Sequence, residues 1–490
     1  SGTDELTSRG TLPAAIPATT RTLILVNRDR LRDSYGEAAA QSVMTKLATF
    51  ALADRVKGTV IPVDGDDAVR AAEANAVATP CSVPATNAFV RAVNDLVDRL
   101  RATSSADIDY VQVVGDDLQI PMGRVRDRTT TGNERAYASS IAAATGGTGS
   151  ALLAAFARGF VLSDAPYGSF RPLPWLGGFL YPPGGDADNA VSVGRLLETP
   201  AEITAQLDQF AATGGAFTFG NSLTAGDDFM VDSATAIDGA MRVLSGTTGT
   251  TLLTSGFTAA ALAAAIFPST GPAPRQIALG LHADHSRIQP AAGSALFTSS
   301  DLLAGGSLVG RLLWAVSCHA GTPVADLLRP GASGAQLARL TDWAQAASRG
   351  GAGAFIGQSG FGLGLHDAVG LSEQLMVDFS RRLTPGRSVG AAFELARTAY
   401  LDGLGAYGVY DEKVLHQANL FGFPMLGDTG NPAPIAAAIG SSMRRAHRAP
   451  AFTAASCTAR FSTSVTPDGI PMTTRGRGKS AKRSCTFWKK

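Results

Sequence analysis

The sequence predicts an α/β protein: a parallel sheet covered by helices on both faces and divided into two subdomains. Three observations carry this. Short β-branched runs recur along the chain, they are apolar throughout rather than alternating, and stretches with helical spacing separate them. The runs are TLILV (Thr22–Val26), TVIPV (59–63), YVQVV (Tyr110–Val114), AFTFG (216–220), QIALGLH (276–282), LLWAVS (312–317) and GAFIG (353–357). Helices are expected at 201–212, 233–244 and 335–349, each between two of these runs, and at 388–400 after the last.

The 490 residues leave room for about two to four domains. Residues 1–21 are expected to form an N-terminal extension, 22–130 a first α/β subdomain, 131–190 a connecting insertion and 191–430 a second α/β subdomain, the one that holds the candidate residues described below. Residues 431–490 form a basic tail or the start of a following domain. The insertion includes the end of RVRDRTTTGNER and the Gly/Pro-rich YPPGGDADN, with little periodicity. Its Arg-rich start at 124–135 reads as a solvated loop, with a processing site as the alternative.

With 42 Lys+Arg against 41 Asp+Glu and 45% apolar residues, disorder and a general nucleic-acid footprint are excluded. The balance hides an asymmetry: residues 441–490 carry eleven Lys/Arg and one acid, Asp468. The most apolar stretch, 251–267, contains Gly and several hydroxyls and stops at Pro268, so no transmembrane helix is expected. The N-terminus shows no signal-peptide pattern, although removal of one beforehand stays open. Four cysteines, Cys81, Cys318, Cys457 and Cys485, are too few for a disulfide scaffold; the last two are placed to close a loop in the tail of a secreted protein.

Three of the six histidines crowd the ends of two runs: His282 and His285 after QIALGL, and His319 after Cys318, which follows LLWAVS. If the two strands are parallel neighbours, both ends emerge on one sheet edge, where open α/β folds place their ligand sites. A thiolate facing an imidazole suits nucleophilic acyl transfer: Cys318 attacks a carbonyl, and the histidine manages the proton of the departing amine. Backbone N–H groups of Cys318 and Ser286 are the candidate oxyanion donors. Two other readings stand beside this one: a packed core cysteine with capping histidines, and a metal site built from HADH (282–285), Cys318 and His319.

The string from 276 to 321, QIALGLHADHSRIQPAAGSALFTSSDLLAGGSLVGRLLWAVSCHAG, resembles the catalytic stretch of the gingipain-type cysteine peptidases of the caspase clan. VVGDDLQIP, VSVGRLLETPAEI, GAFIGQSGFGLG and NLFGFPMLGD resemble further segments of that family, so the likeness covers roughly 22–428. It implies a caspase-like sandwich and a cysteine endopeptidase with Cys318 as nucleophile and His285, in preference to His282, as general acid. His282, Asp284 and His319 become supporting residues. The family usually brackets its histidine with glycines, whereas Asp284 and Ser286 stand here.

Asp227, Asp228, Gln358 and Ser359 are candidate substrate contacts, the acids because they would select Arg or Lys. Asp116/Asp117 and Asp186/Asp188 read as turn formers, with structural calcium, as gingipain-type enzymes hold, the alternative; no cofactor is required. The resemblance further implies a protein or peptide substrate, no nucleic-acid partner, and a secreted or surface location in a bacterium. It leaves the oligomeric state open. The rivals are a catalytically silent caspase-like scaffold within a larger surface protein and a metal-dependent hydrolase.

Overall fold

The computed structural model describes residues 10–428, apart from 148, 170–172, 176–177, 181–190, 247–248, 254–255, 291–294, 330, 334–335, 338–339 and 367. Beyond 428 it describes only the backbone of three short strands. The tail cysteines Cys457 and Cys485 and the acids Asp186 and Asp188 lie outside the described residues.

Ten strands form one sheet: β1 (Thr22–Val26), β2 (Gly58–Pro62), β3 (Tyr110–Val114), β4 (Ser192–Leu196), β5 (Ser222–Gly226), β6 (Thr250–Leu252), β7 (Gln276–Gly280), β8 (Leu312–Ala315), β9 (Ala354–Gln358) and β10 (Ala418–Gly422). Their order is β6-β5-β7-β8-β9-β10-β4-β3-β1-β2. Pairing is parallel from β6 to β9 and from β4 to β2, and β10 runs antiparallel to β9.

The unbroken apolar runs have the meaning expected of them, because alternate residues of one strand feed different cores. In β1, Leu23 and Leu25 enter one apolar cluster while Ile24 and Val26 enter another. In β7, Ala278 joins the cluster of Ile24, and Ile277 and Leu279 join a third. One face of the sheet therefore carries a single core running under both halves, and the opposite face carries two separate cores. The halves meet where β4 and β10 touch at a single pair, Arg195 with Phe421. Buried Gln112 of β3 stitches that seam by donating to the carbonyls of Gly194 (2.9 Å) and Gly422 (3.2 Å).

Local sequence fixes the covering helices. Pro200–Thr213 begins with a capping box: the Thr199 hydroxyl accepts the Glu202 N–H (3.3 Å), and Glu202 accepts the Thr199 N–H (2.8 Å). It ends on left-handed Gly214 and packs Phe210 edge-on against Phe50 of the neighbouring helix Glu37–Ala51, 5.0 Å between ring centroids.

Some expectations need correction. AFTFG is not the fifth strand; Ala216 makes only an isolated bridge to Gly427, and the strand starts at Ser222, after Asn221. Its Phe217 packs into the core under both halves instead. The insertion is more ordered than its weak periodicity implies: strand Gly123–Arg126 pairs antiparallel with Phe160–Ser163, and helices Ala138–Ala144 and Ala151–Arg158 lie between them. The stretch around 251–267 splits into β6 and the short helix Ala259–Ile266. No described helix is long and apolar enough to cross a membrane.

Candidate active site

Strands β5, β7, β8 and β9 are parallel neighbours, so the residues following each share one sheet edge. Asp227 and Asp228 follow β5, His282 and His285 follow β7, Cys318 and His319 follow β8, and Ser359 follows β9. Gly321 lets the β8 loop lie against β9: a Cβ there would stand 2.4 Å from both the carbonyl carbon and oxygen of Gly357. His319 adopts φ 56°, a left-handed turn rare for a residue with a side chain, and its N–H donates to the Gly360 carbonyl at 2.9 Å.

The organiser of the site comes from the insertion. On the short turn Glu134–Tyr137, the Tyr137 hydroxyl lies 2.7 Å from Nδ1 of His285 and accepts the His285 backbone N–H at 3.1 Å. The same phenol ring stacks on His319, 3.4 Å between centroids and 7° from parallel. Cys318 belongs to the buried cluster of Tyr137, Met122, Leu162 and Phe361, with Sγ 3.8 Å from the Gly362 carbonyl oxygen. One aromatic ring thus touches the surroundings of Cys318 and His285 alike. Trp343 fixes the His285 backbone from the other side, donating its N–H to the His285 carbonyl at 3.0 Å and its indole N–H to the Asp284 carbonyl at 3.1 Å.

Behind the rings lies a buried ionic network. His319 Nε2 lies 2.8 Å from Glu134, whose other oxygen accepts the Phe361 N–H (2.8 Å) and a bond from Lys413 (2.5 Å). Lys413 also reaches Asp127 (2.8 Å) and the Gly132 carbonyl (2.5 Å). Burial opposes charge on Glu134, yet Lys413 and His319 hold its carboxyl below the usual range. Burial pushes His319 down despite Glu134, so its neutral ring donates Nε2–H to that carboxylate. Burial likewise pushes His285 down to about 4 and Tyr137 up, leaving a neutral imidazole beside a neutral phenol.

The remaining candidates fall in different places. Asp284 accepts the N–H groups of Ser286 and Arg287, each at 2.8 Å, and pairs with the Arg287 guanidinium. The Ser286 N–H proposed for the oxyanion is therefore engaged by its neighbour's carboxylate. His282 Nε2 stands 3.5 Å from Asp228, which is 57% exposed, and burial lowers the imidazole's pKa. Asp227 is buried at the end of β5. Ser359 is spent on the insertion, donating to the Leu162 carbonyl at 2.6 Å and accepting the Leu162 N–H at 3.1 Å; Gln358 is buried inside the sheet. Both therefore support the scaffold here rather than line a cleft. Asp117 is neutralised by a bidentate pair with Arg124, 2.6 Å in each arm, and no group of three or more potential metal ligands occurs among the described residues.

Cys318 is disulfide-bonded, and Cys81 is the free cysteine among the described residues. The partner of Cys318 lies outside the described residues.

Tyr137, Glu134, Asp127 and Lys413 had no sequence signal of their own. Asp127 and Glu134 sit in a stretch whose charge reads as solvation, Tyr137 lies just after it, and Lys413 lies in a helix of unremarkable pattern, Val409–Gln417.

The sheet order and its histidine-bearing edge define a protein with the caspase-like fold. Among solved structures, the chain is similar to the complex of the pro- and mature domains of RgpB from Porphyromonas gingivalis: TM-score 0.50, 15% identity, over 83% of this chain and 79% of that one. It is also similar to the Arg-specific cysteine proteinase gingipain R, with TM-score 0.48 and 13% identity, over 86% and 80% of the two chains. No protein-family model matches the chain, and no curated protein matches it.

Proposed function

We propose that the protein is a cysteine endopeptidase in which Cys318 is the nucleophile and His285 the proton carrier. The observation that carries this reading is the pairing of β7 with β8, which sets both residues on one edge, with Tyr137 bonded to the imidazole and packed in the cluster of the cysteine. The fold shared with the RgpB complex supports it.

The chemistry begins with the thiol form of Cys318, released by thiol–disulfide exchange with an external dithiol that is itself oxidised to a disulfide. With Nδ1–H donated to the Tyr137 hydroxyl, the neutral His285 ring keeps Nε2 as the base that takes the proton. The Cys318 sulfur attacks the scissile carbonyl and forms the C–S bond as its proton passes to the imidazole. The tetrahedral oxyanion is held by backbone N–H groups, among which Cys318 N–H is the candidate and Ser286 N–H becomes one only if Asp284 releases it. Collapse breaks the C–N bond, and the imidazolium gives its proton to the amine. Water then attacks the thioester, the acid leaves, and the thiol is restored.

Asp228, exposed beside His282, is the acid we assign to a cationic substrate side chain, because a carboxylate at the cleft edge would pair with Arg or Lys. Secretion or surface display, a polypeptide substrate and independence of an organic cofactor belong to the same proposal.

A specific observation favours a second reading, a silent scaffold. Cys318 is fully buried as well as disulfide-bonded, and the Ser286 N–H is occupied. Intact-mass analysis after reduction and exposure to peptidyl acyloxymethyl-ketones separates the two. Selective addition at Cys318, lost in His285→Ala and preferring Arg or Lys probes, supports the peptidase. Reaction no faster than at Cys81 supports the scaffold.

A further inference from the structure

The Arg-rich run of the insertion takes no part in the chemistry above, yet the fold gathers it around a cavity. The cavity measures about 720 Å³, within the range of small-molecule sites. Arg124 and Arg126 project from strand Gly123–Arg126, Arg128 follows it, Arg135 lies on the turn Glu134–Tyr137, and Arg158 ends the helix Ala151–Arg158. Arg124 is neutralised by Asp117. Arg126, Arg128, Arg135 and Arg158 make no ion pair with any described residue, and Glu412 is the acid among the described lining residues.

Four arginines lining one concavity set like charges near one another. That arrangement is costly for a protein with carboxylates to spare and suits a ligand that supplies the missing charge. The fork of a guanidinium matches two oxygens of a phosphoryl or sulfuryl group, so several forks suit an anion with several such groups. We propose that this cavity is a binding site for a small, multiply charged oxyanion of phosphate or sulfate type. One wall is the turn Glu134–Tyr137: Arg135 lines the cavity, while Glu134 and Tyr137 hold His319 and His285. A bound anion would brace the element that holds the imidazoles.

The experiment is calorimetric titration of the full chain with tripolyphosphate and, separately, with a trisulfated disaccharide; the tighter probe identifies the source of the anion. Expected are saturable binding weakened by added salt, a loss of about tenfold or more in Arg128→Gln/Arg135→Gln and in Arg126→Gln/Arg158→Gln, and no change in Arg381→Gln on the far helix Ser372–Arg382. These side chains are exposed or half-buried, and circular dichroism checks that each variant stays folded. Absence of binding by both probes, or an equal loss in Arg381→Gln, overturns the proposal. The readout needs no peptidase activity, so its outcome is independent of the proposed chemistry.

Discussion

The Tyr137 hydroxyl stands 2.7 Å from Nδ1 of His285 and also accepts that residue's backbone N–H, so one side chain fixes both the imidazole and the peptide that carries it. Tyr137→Phe removes both bonds while keeping the ring stacked on His319. The expected results are a stability loss of about 1–3 kcal/mol from the orphaned donor and a fall of roughly 10- to 100-fold in Cys318 acylation from the unanchored imidazole. Urea unfolding and single-turnover probe kinetics measure the two separately. Loss of stability without loss of rate would leave Tyr137 a structural residue only.

The disulfide at Cys318 makes reactivity conditional. Without reductant, iodoacetamide should label Cys81 and leave Cys318 untouched; after mild reduction Cys318 should label as well. Peptide mapping by mass spectrometry reads both sites in one sample.

The pH dependence follows from burial. His285, pushed down to about 4, is neutral throughout the physiological range, so no imidazolium stabilises the thiolate. Alkylation of reduced Cys318 should therefore rise smoothly with pH between about 6 and 9, with no step near the usual histidine value of about 6.5. A plateau beginning near that value would show a preformed ion pair.

His416, buried and pushed down to about 3, gives a stability test. Its folded pKa lies below the unfolded one, so the unfolded chain binds the extra proton. The contribution is complete above the unfolded value and is lost as pH falls through the window below it. His416→Leu should lose less stability than the wild type between about pH 7 and 4.5, by on the order of 3 kcal/mol. Denaturant titrations at the two pH values check this.

Glu134→Gln leaves Lys413 buried with Asp127 alone and takes the acceptor from His319. A loss of about 3–5 kcal/mol is expected, with reduced acylation because the turn bearing Tyr137 loses its anchor. Gly321→Ala should damage the same edge from the other side, since its new methyl meets the Gly357 backbone. Thermal unfolding and probe labelling, compared with an alanine substitution at exposed Gly405, measure the effect.

The α/β class, six of the ten central strand locations and the histidine-cysteine edge were legible because each rests on local pattern. β-branched runs mark strands, and residues just after two such runs share an edge once those strands pair in parallel. The failures were equally physical. AFTFG has strand composition, yet Phe217 was wanted by the core, so pairing began five residues later, at Ser222. β4, which begins just after residue 191, pairs in parallel with β3, and one core runs under both halves.

By itself the sequence singled out Cys318 and His285 as the candidates for chemistry, and roughly which strands deliver them, because those depend on residue type and short-range periodicity. Only the tertiary structure decided what surrounds them. Tyr137 and Glu134 lie more than a hundred residues before His285, Lys413 lies nearly a hundred beyond Cys318, and the partner of the Cys318 disulfide is as invisible in local pattern. Contacts of that range arise from the order of strands in the sheet, and a charged residue bound for burial looks the same in the sequence as one left in water.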